Sequence, residues 1–147
     1  MIKWLVILLV VVVAAGVARW AWTSGWPHLD PPAVAGSAVK NVDRANWEQA
    51  SGRLTQVLIK SFPSGSASAE VSNRLHNQGF TALKQCPSPT LQKVGVQGFT
   101  CSQNWDPDHA LHYSWGPRNP CQQDMAVFWT DDSSGRLTSI EGQYSCN

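Results

Sequence analysis

The sequence predicts an α+β fold, with two helices packed on a small antiparallel β-sheet that disulfides staple, behind an N-terminal transmembrane helix. Three observations predict it: an apolar run at the amino terminus, two helical patterns between residues 42 and 78, and strand-like runs with all four cysteines in the second half. The chain has 147 residues and a net charge of +1. This size indicates one small domain, and without a basic excess we expect no nucleic-acid partner.

Residues 1–22 are predicted to be a transmembrane anchor or a signal sequence. After Lys3 the chain carries no charge up to Ala18, and tryptophans of the kind that lie at membrane interfaces follow. These are Trp20, Trp22 and Trp26. The small residues 16–18 would instead suit a signal-cleavage site. We expect an uncleaved single-pass anchor in the inner membrane with the domain facing the periplasm; the alternative is a soluble periplasmic protein after cleavage.

A linker and two helices follow the apolar run. Residues 23–40 hold three prolines and two glycines without periodicity, which predicts a linker before an α+β domain at 41–147. Residues 42–61 predict a helix, because apolar residues recur at spacings of three and four. Residues 66–78 predict a second, short helix, with Val71 and Leu75 on its buried face.

Four runs in the second half read as strands, namely 80–86, 98–105, 122–130 and 136–145. An even number of cysteines behind an export signal predicts two disulfides. If Thr130 lies opposite Leu137 in the last hairpin, the same register places Cys121 opposite Cys146. Cys86 then pairs with Cys101 by elimination.

The segment 101–121, CSQNWDPDHALHYSWGPRNPC, is the most chemically varied stretch and is predicted to be a loop clamped at both ends by the disulfides. It carries aromatic side chains and an arginine, residue types that are enriched at interface hot spots. Its candidate binding residues are Trp105, His109, His112, Tyr113, Trp115 and Arg118. Its prolines restrict its freedom and so lower the ordering cost of binding. Tryptophans also stack on sugars, which makes peptidoglycan a further candidate partner.

The same loop supports a competing hypothesis of a metal-dependent envelope hydrolase acting through the Asp106–His112 cluster. His109 and His112 would share one face only if the segment were helical, and a third ligand would have to come from Asp106 or Asp108. The chain has no HExxH motif and no GxSxG motif. The Asp131–Asp132 pair is typical of a hairpin turn. We therefore expect no catalytic residue, no bound metal and no cofactor.

The run FPSGSASAEVSNRLHNQGF places Phe-Pro-x-Gly before a capped helix with Val71 and Leu75, and Gly-Phe after it. This order resembles the SmpA/OmlA (BamE-like) family of small envelope lipoproteins over about residues 60–85. The chain departs from that family because no cysteine precedes Cys86 to carry a lipid, and because the family lacks the predicted disulfides. The resemblance implies a non-catalytic envelope scaffold that binds other proteins.

Together these features predict a non-catalytic, membrane-anchored envelope protein whose periplasmic domain binds another envelope protein. An inhibitor or immunity protein of a cell-wall hydrolase fits the same size and location, and the metal-dependent hydrolase is the third alternative.

Overall fold

The computed structural model describes residues 10–16, 30–39, 42, 46–84, 106–116 and 123–146. Their fold is α+β, as predicted: helices on one face of a four-stranded antiparallel sheet of order β1-β2-β3-β4. The helices are α1 (Trp47–Ser61) and α2 (Ser68–His76). The strands are β1 (Thr81–Ala82), β2 (Ala110–Trp115), β3 (Gln123–Asp131) and β4 (Leu137–Cys146).

Helix α1 forms because its sequence places an apolar residue on the same helix face at every turn. Ala50, Leu54 and Leu58 repeat every four residues and are fully buried against the sheet. The N–H of Phe62 still donates to the Leu58 carbonyl at 2.8 Å, and Pro63 then ends the helical pattern. The sequence therefore located this helix correctly, although the structure begins it at Trp47 and not at residue 42.

Helix α2 is nine residues long and buries Val71 and Leu75 completely, as the sequence predicted. It ends at His76, and the turn that follows passes through Gly79, whose positive φ of 90° favours glycine. The helix begins at Ser68, two residues after the predicted start at residue 66. The backbone of Ser66 is bonded elsewhere, because its carbonyl accepts the N–H of Leu137 at 2.8 Å.

Residues Ala33–Val39, within the predicted linker, form 3₁₀ turns that meet at Gly36, whose φ is 51°. The side chains of Val34, Ala35, Ala38 and Val39 are buried in the same core as the helices. The apolar residues of this run thus enter the domain. The carbonyl-bearing end of Gln78 holds the run in place, because its Oε1 accepts the N–H of Val34.

Strand β2 lies inside the segment that was predicted to be a loop, and that prediction is wrong for residues 110–115. Leu111, Tyr113 and Trp115 alternate with the less buried His112 and Ser114, the pattern of a strand with one face on the core. The strand predicted at 98–105 lies outside the described residues.

The β3–β4 hairpin exists, but its predicted register is wrong by two positions. Asp131, not Thr130, faces Leu137, and a bulge at Thr130/Asp131 shifts the pairing by one residue more, so Val127 faces Gly142 and Trp129 faces Ile140. Cys146 consequently lies opposite Gln123, and the argument that set it opposite Cys121 fails.

No disulfide is seen among the residues that the structure describes. Cys86, Cys101 and Cys121, with both predicted pairings, lie outside them.

Residues 10–16 are helical. Within the described parts of the chain, no helix has the length and apolar character needed to cross a membrane.

Candidate functional site

The candidate site is centred on His109, whose imidazole lies between two carboxylates. Its Nδ1 is 2.7 Å from Asp106 Oδ2, and its Nε2 is 3.1 Å from Asp131 Oδ2. The two aspartates belong to different elements, because Asp106 precedes β2 and Asp131 ends β3. The His109 side chain is 24 % exposed, so the cluster lies at the surface edge of the core.

The sequence around His109 forms a tight 3₁₀ turn, Pro107–His109. Asp106 caps this turn, because its Oδ1 accepts the backbone N–H of Asp108 at 3.0 Å. Pro107 occupies the first position of the turn, where its missing N–H costs nothing. The other carboxylate oxygen of Asp106 is thereby aimed at the His109 ring.

The ring of His109 also contacts the core. It meets Trp129 edge-on, with ring centroids 5.6 Å apart. The indole Nε1 of Trp129 donates to Ser68 Oγ at 2.8 Å, at the first residue of α2. These contacts join the turn before β2, strand β3 and helix α2 in one region of the fold.

Charges around the ring favour its protonated form. Partial burial by itself lowers the pKa of His109, but hydrogen bonds to Asp106 and Asp131 and attraction to their charges raise that pKa above its ordinary value overall. The pKa of the Asp106 carboxyl is lowered, chiefly by the hydrogen bond from the Asp108 backbone and then by the bond from His109. An imidazolium flanked by two carboxylates is the state that this geometry stabilises.

This arrangement has little capacity for acid–base or metal chemistry. A general base needs a free ring nitrogen facing its substrate, but both nitrogens of His109 face carboxylates. Asp106 and Asp131 bind opposite edges of the ring, so they do not converge on one ion with the same nitrogen. Among the described residues, no group of three or more His, Cys, Asp or Glu side chains is arranged to hold a metal.

His112 lies on the face of the sheet opposite the helices, away from His109. Its Nε2 is 2.9 Å from Thr81 Oγ1 on β1, and its position on β2 faces Ala126 on β3. The two histidines therefore do not share the helical face that the metal hypothesis required, because β2 begins at Ala110.

Tyr113 and Trp115, two of the predicted binding residues, have side chains that are only 6 % and 3 % exposed. Their rings lie 6.0 Å apart and extend toward Phe80 on one side and Tyr144 on the other, at 5.3 and 5.9 Å. Both side chains pack inside the core. Trp105 and Arg118 lie outside the described residues.

Sequence reasoning missed Asp131 as a partner of His109. The adjacent pair Asp131–Asp132 was assigned to turn chemistry, which fits only Asp132: its Oδ1 accepts the N–H groups of Ser134 and Arg136. Two adjacent aspartates before a turn look alike in the sequence, so the pattern does not reveal that only one of them belongs to the turn. Asp131 shares the helix side of β3 with Val127 and Trp129 by strand alternation, and there it meets His109.

No protein-family model, curated protein or solved structure matches this chain. The resemblance to the SmpA/OmlA family stays a prediction from the sequence.

Proposed function

We propose that the chain is a non-catalytic, membrane-anchored envelope protein whose folded domain binds another protein. The observation that carries this proposal is the closed state of His109. His109 is the central residue of the cluster that the hydrolase hypothesis invoked, and both of its ring nitrogens contact carboxylates of the same chain. A residue engaged in this way supports a scaffold better than a hydrolase.

The sheet face that the helices leave uncovered is the candidate binding surface. Two rows cross it through the strand register, and most of their side chains are polar or aromatic and at least partly exposed, whereas Ala110 and Ala126 are fully buried in a small cluster with Leu83. The first row is Thr81, His112, Ala126 and Gln143, and the second is Ala110, Phe128 and Glu141. A mixed surface with a partly exposed aromatic ring and little charge is typical of a protein interface.

His112 connects this surface to the binding residues proposed from sequence. It is half-buried beside Thr81 and projects from the middle of β2. Tyr113 and Trp115 support the same strand from beneath, because they fill the core on its other side. Trp105 and Arg118 remain part of the proposed binding set.

The valines at the amino terminus support the proposed membrane anchor. Val10, Val11, Val12 and Val13 are helical, and each is 57–60 % exposed. Four consecutive residues cover every side of a helix, so no side of this segment is packed against the domain. An apolar helix without a buried side is typical of a segment that lipid covers. The proposed location is the inner membrane with the domain in the periplasm, and the predicted disulfides belong to that proposal.

An affinity purification with matched variants tests the binding role. The full-length chain is captured from its own membranes in gentle detergent, as wild type, as His112→Glu and as Gln56→Glu, whose exposed side chain lies on α1. We expect one envelope protein near stoichiometric amounts with the wild type and Gln56→Glu, and at least a tenfold loss with His112→Glu. No enriched protein, or equal capture by both variants, would contradict the proposal. If the captured protein is a cell-wall hydrolase that the domain inhibits, the inhibitor or immunity form of the proposal applies.

A further inference from the structure

The contact between His109 and Asp131 joins two parts of the chain that are 22 residues apart. On one side is the 3₁₀ turn that leads into β2, and on the other is the end of β3 where the hairpin turns. Regular strand pairing between β2 and β3 ends at Ala110 and Phe128. Beyond that pair, the His109 ring holds the turn to β3 through Asp131 and through the edge of Trp129.

The proton content of the ring decides whether both carboxylate contacts are favourable. A carboxylate only accepts hydrogen bonds, so each ring nitrogen must carry a proton to bond its aspartate. A neutral imidazole carries one proton and satisfies one of them. The contact with Asp106 is the shorter, at 2.7 Å, and lies within the turn, so the neutral ring keeps its proton on Nδ1. Nε2 then presents a lone pair to Asp131 Oδ2, which is a contact between two acceptors.

We propose that His109 is a pH-dependent latch: its imidazolium form fastens the turn at residues 106–109 to the end of the β3–β4 hairpin through Asp131, and loss of the Nε2 proton releases it. This inference concerns the chain alone and does not depend on the proposed binding role. A histidine with both ring nitrogens bonded to carboxylates could act in this way, because its release would alter the start of β2 when the pH of the surroundings changes.

The surrounding charges agree with this behaviour. The charged groups on the elements packed around the ring are mostly acidic, and the attraction at His109 comes from two of them. These groups are Asp106 and Asp108 on the turn, Asp131 on β3, and Asp132 and Arg136 in the hairpin turn. Arg136 is directed elsewhere, because its Nη1 donates to the Gly65 carbonyl at 3.2 Å. No cation among the described residues replaces the imidazolium between the two carboxylates.

The direction of the pKa fixes the direction of the switch. A histidine whose pKa is raised by folding stabilises the folded contact below its ordinary pKa, and this stabilisation is lost as the pH rises through the raised value. The latch is therefore closed in mildly acidic surroundings and opens as the pH rises through the raised pKa of His109.

Imidazole ¹⁵N resonances of the full-length protein in detergent micelles test the latch directly. We expect both His109 nitrogens to be protonated at acidic pH, and Nε2 to be the nitrogen that loses its proton as the pH rises. The same series includes Asp131→Asn, and Asp108→Asn as a control that removes an equal charge from the adjacent turn. The apparent pKa of His109 should fall in Asp131→Asn more than in Asp108→Asn. Loss of the proton from Nδ1, or the same fall in both variants, would overturn the proposal.

Hydrogen exchange supplies the conformational readout. Across the His109 titration, amide protection at residues 108–111 should fall about two- to fivefold beyond the intrinsic pH dependence, which is the range expected for a partly exposed ion pair. His109→Gln carries no titratable ring and should lack this fall, whereas His76→Gln, on the exposed side of α2, should retain it. Wild-type protection that does not change across the titration would overturn the latch even if no variant folds.

Discussion

The hydroxyl of Thr55 on α1 bonds both backbone groups of Gly142 on β4: the Gly142 N–H donates to Thr55 Oγ1 at 3.0 Å, and Oγ1 donates to the Gly142 carbonyl at 3.1 Å. One turn earlier in the helix, Ser51 Oγ accepts the N–H of Tyr144 at 2.9 Å. Strand β4 is the edge of the sheet, and an edge strand normally leaves such groups open to another chain. The helix hydroxyls of Ser51 and Thr55 cover this part of the edge.

Thr55→Val preserves the shape of the side chain and removes both bonds to Gly142. We expect a loss of about 1–3 kcal/mol in the free energy of unfolding, because two hydrogen bonds disappear and the strand groups remain partly buried. Thr130→Val is the control, since the Thr130 hydroxyl contacts only exposed hydroxyls. Urea denaturation followed by circular dichroism measures both. A Thr55→Val variant no less stable than the Thr130→Val control would contradict the role of this hydroxyl.

Gly142→Ala should destabilise the fold because α1 approaches β4 too closely for a side chain. A Cβ at this position would lie 2.5 Å from Leu54 Cγ and 2.7 Å from Leu58 Cδ1. We expect a cost of about 1–3 kcal/mol, as for other overpacked cores.

Gly52→Ala provides the matched control with the opposite sign. Gly52 lies within α1, is exposed, and would have nothing within 4 Å of an added Cβ. Because alanine favours a helix interior over glycine, this variant should be more stable by about 0.5–1 kcal/mol. Thermal melts of both variants compare the signs, and destabilisation of similar size in both would show that the space above Gly142 is not the cause.

The stabilisation by Asp131 should depend on pH. In mildly acidic solution the His109 ring is charged, so wild type should exceed Asp131→Asn in stability by up to about 1 kcal/mol. The difference should shrink as the pH rises through the raised pKa of His109. Urea midpoints across this range provide the measurement, and a constant difference would contradict the ion pair.

Zinc should not bind at His109. The ring bonds to aspartates on its two opposite edges, so metal binding would require at least one of these contacts to break. In calorimetric titrations with zinc, we expect wild type and His109→Gln to release the same heat. Binding that His109→Gln removes would return the hydrolase hypothesis to consideration.

The elements that sequence patterns predicted well are those held by their own periodicity. The face of Ala50, Leu54 and Leu58 located α1, and Val71 with Leu75 located α2. The alternation from Leu111 to Trp115 carried an equally clear signal for β2. It was overlooked because the polar and aromatic composition of the segment had been interpreted as a binding loop.

The hairpin register and the His109 site depend on contacts that local patterns do not encode. Asp132 accepts hydrogen bonds within its turn, the turn pairs Asp131 and not Thr130 with Leu137, and the bulge at Thr130/Asp131 shifts the pairing by one residue more. Asp131 meets His109 from 22 residues away in the chain. The chemistry of the histidine was therefore visible in the sequence, but the second carboxylate that closes it was not.

Site-specific photo-crosslinking in intact cells tests the central claim most directly. A photoreactive amino acid replaces His112 on the uncovered sheet face in one version of the full-length protein, and Gln56 on α1 in the other. The binding account predicts one discrete adduct with an envelope protein from position 112 and none of that adduct from position 56. No adduct from position 112, or the same adducts from both positions, would contradict it.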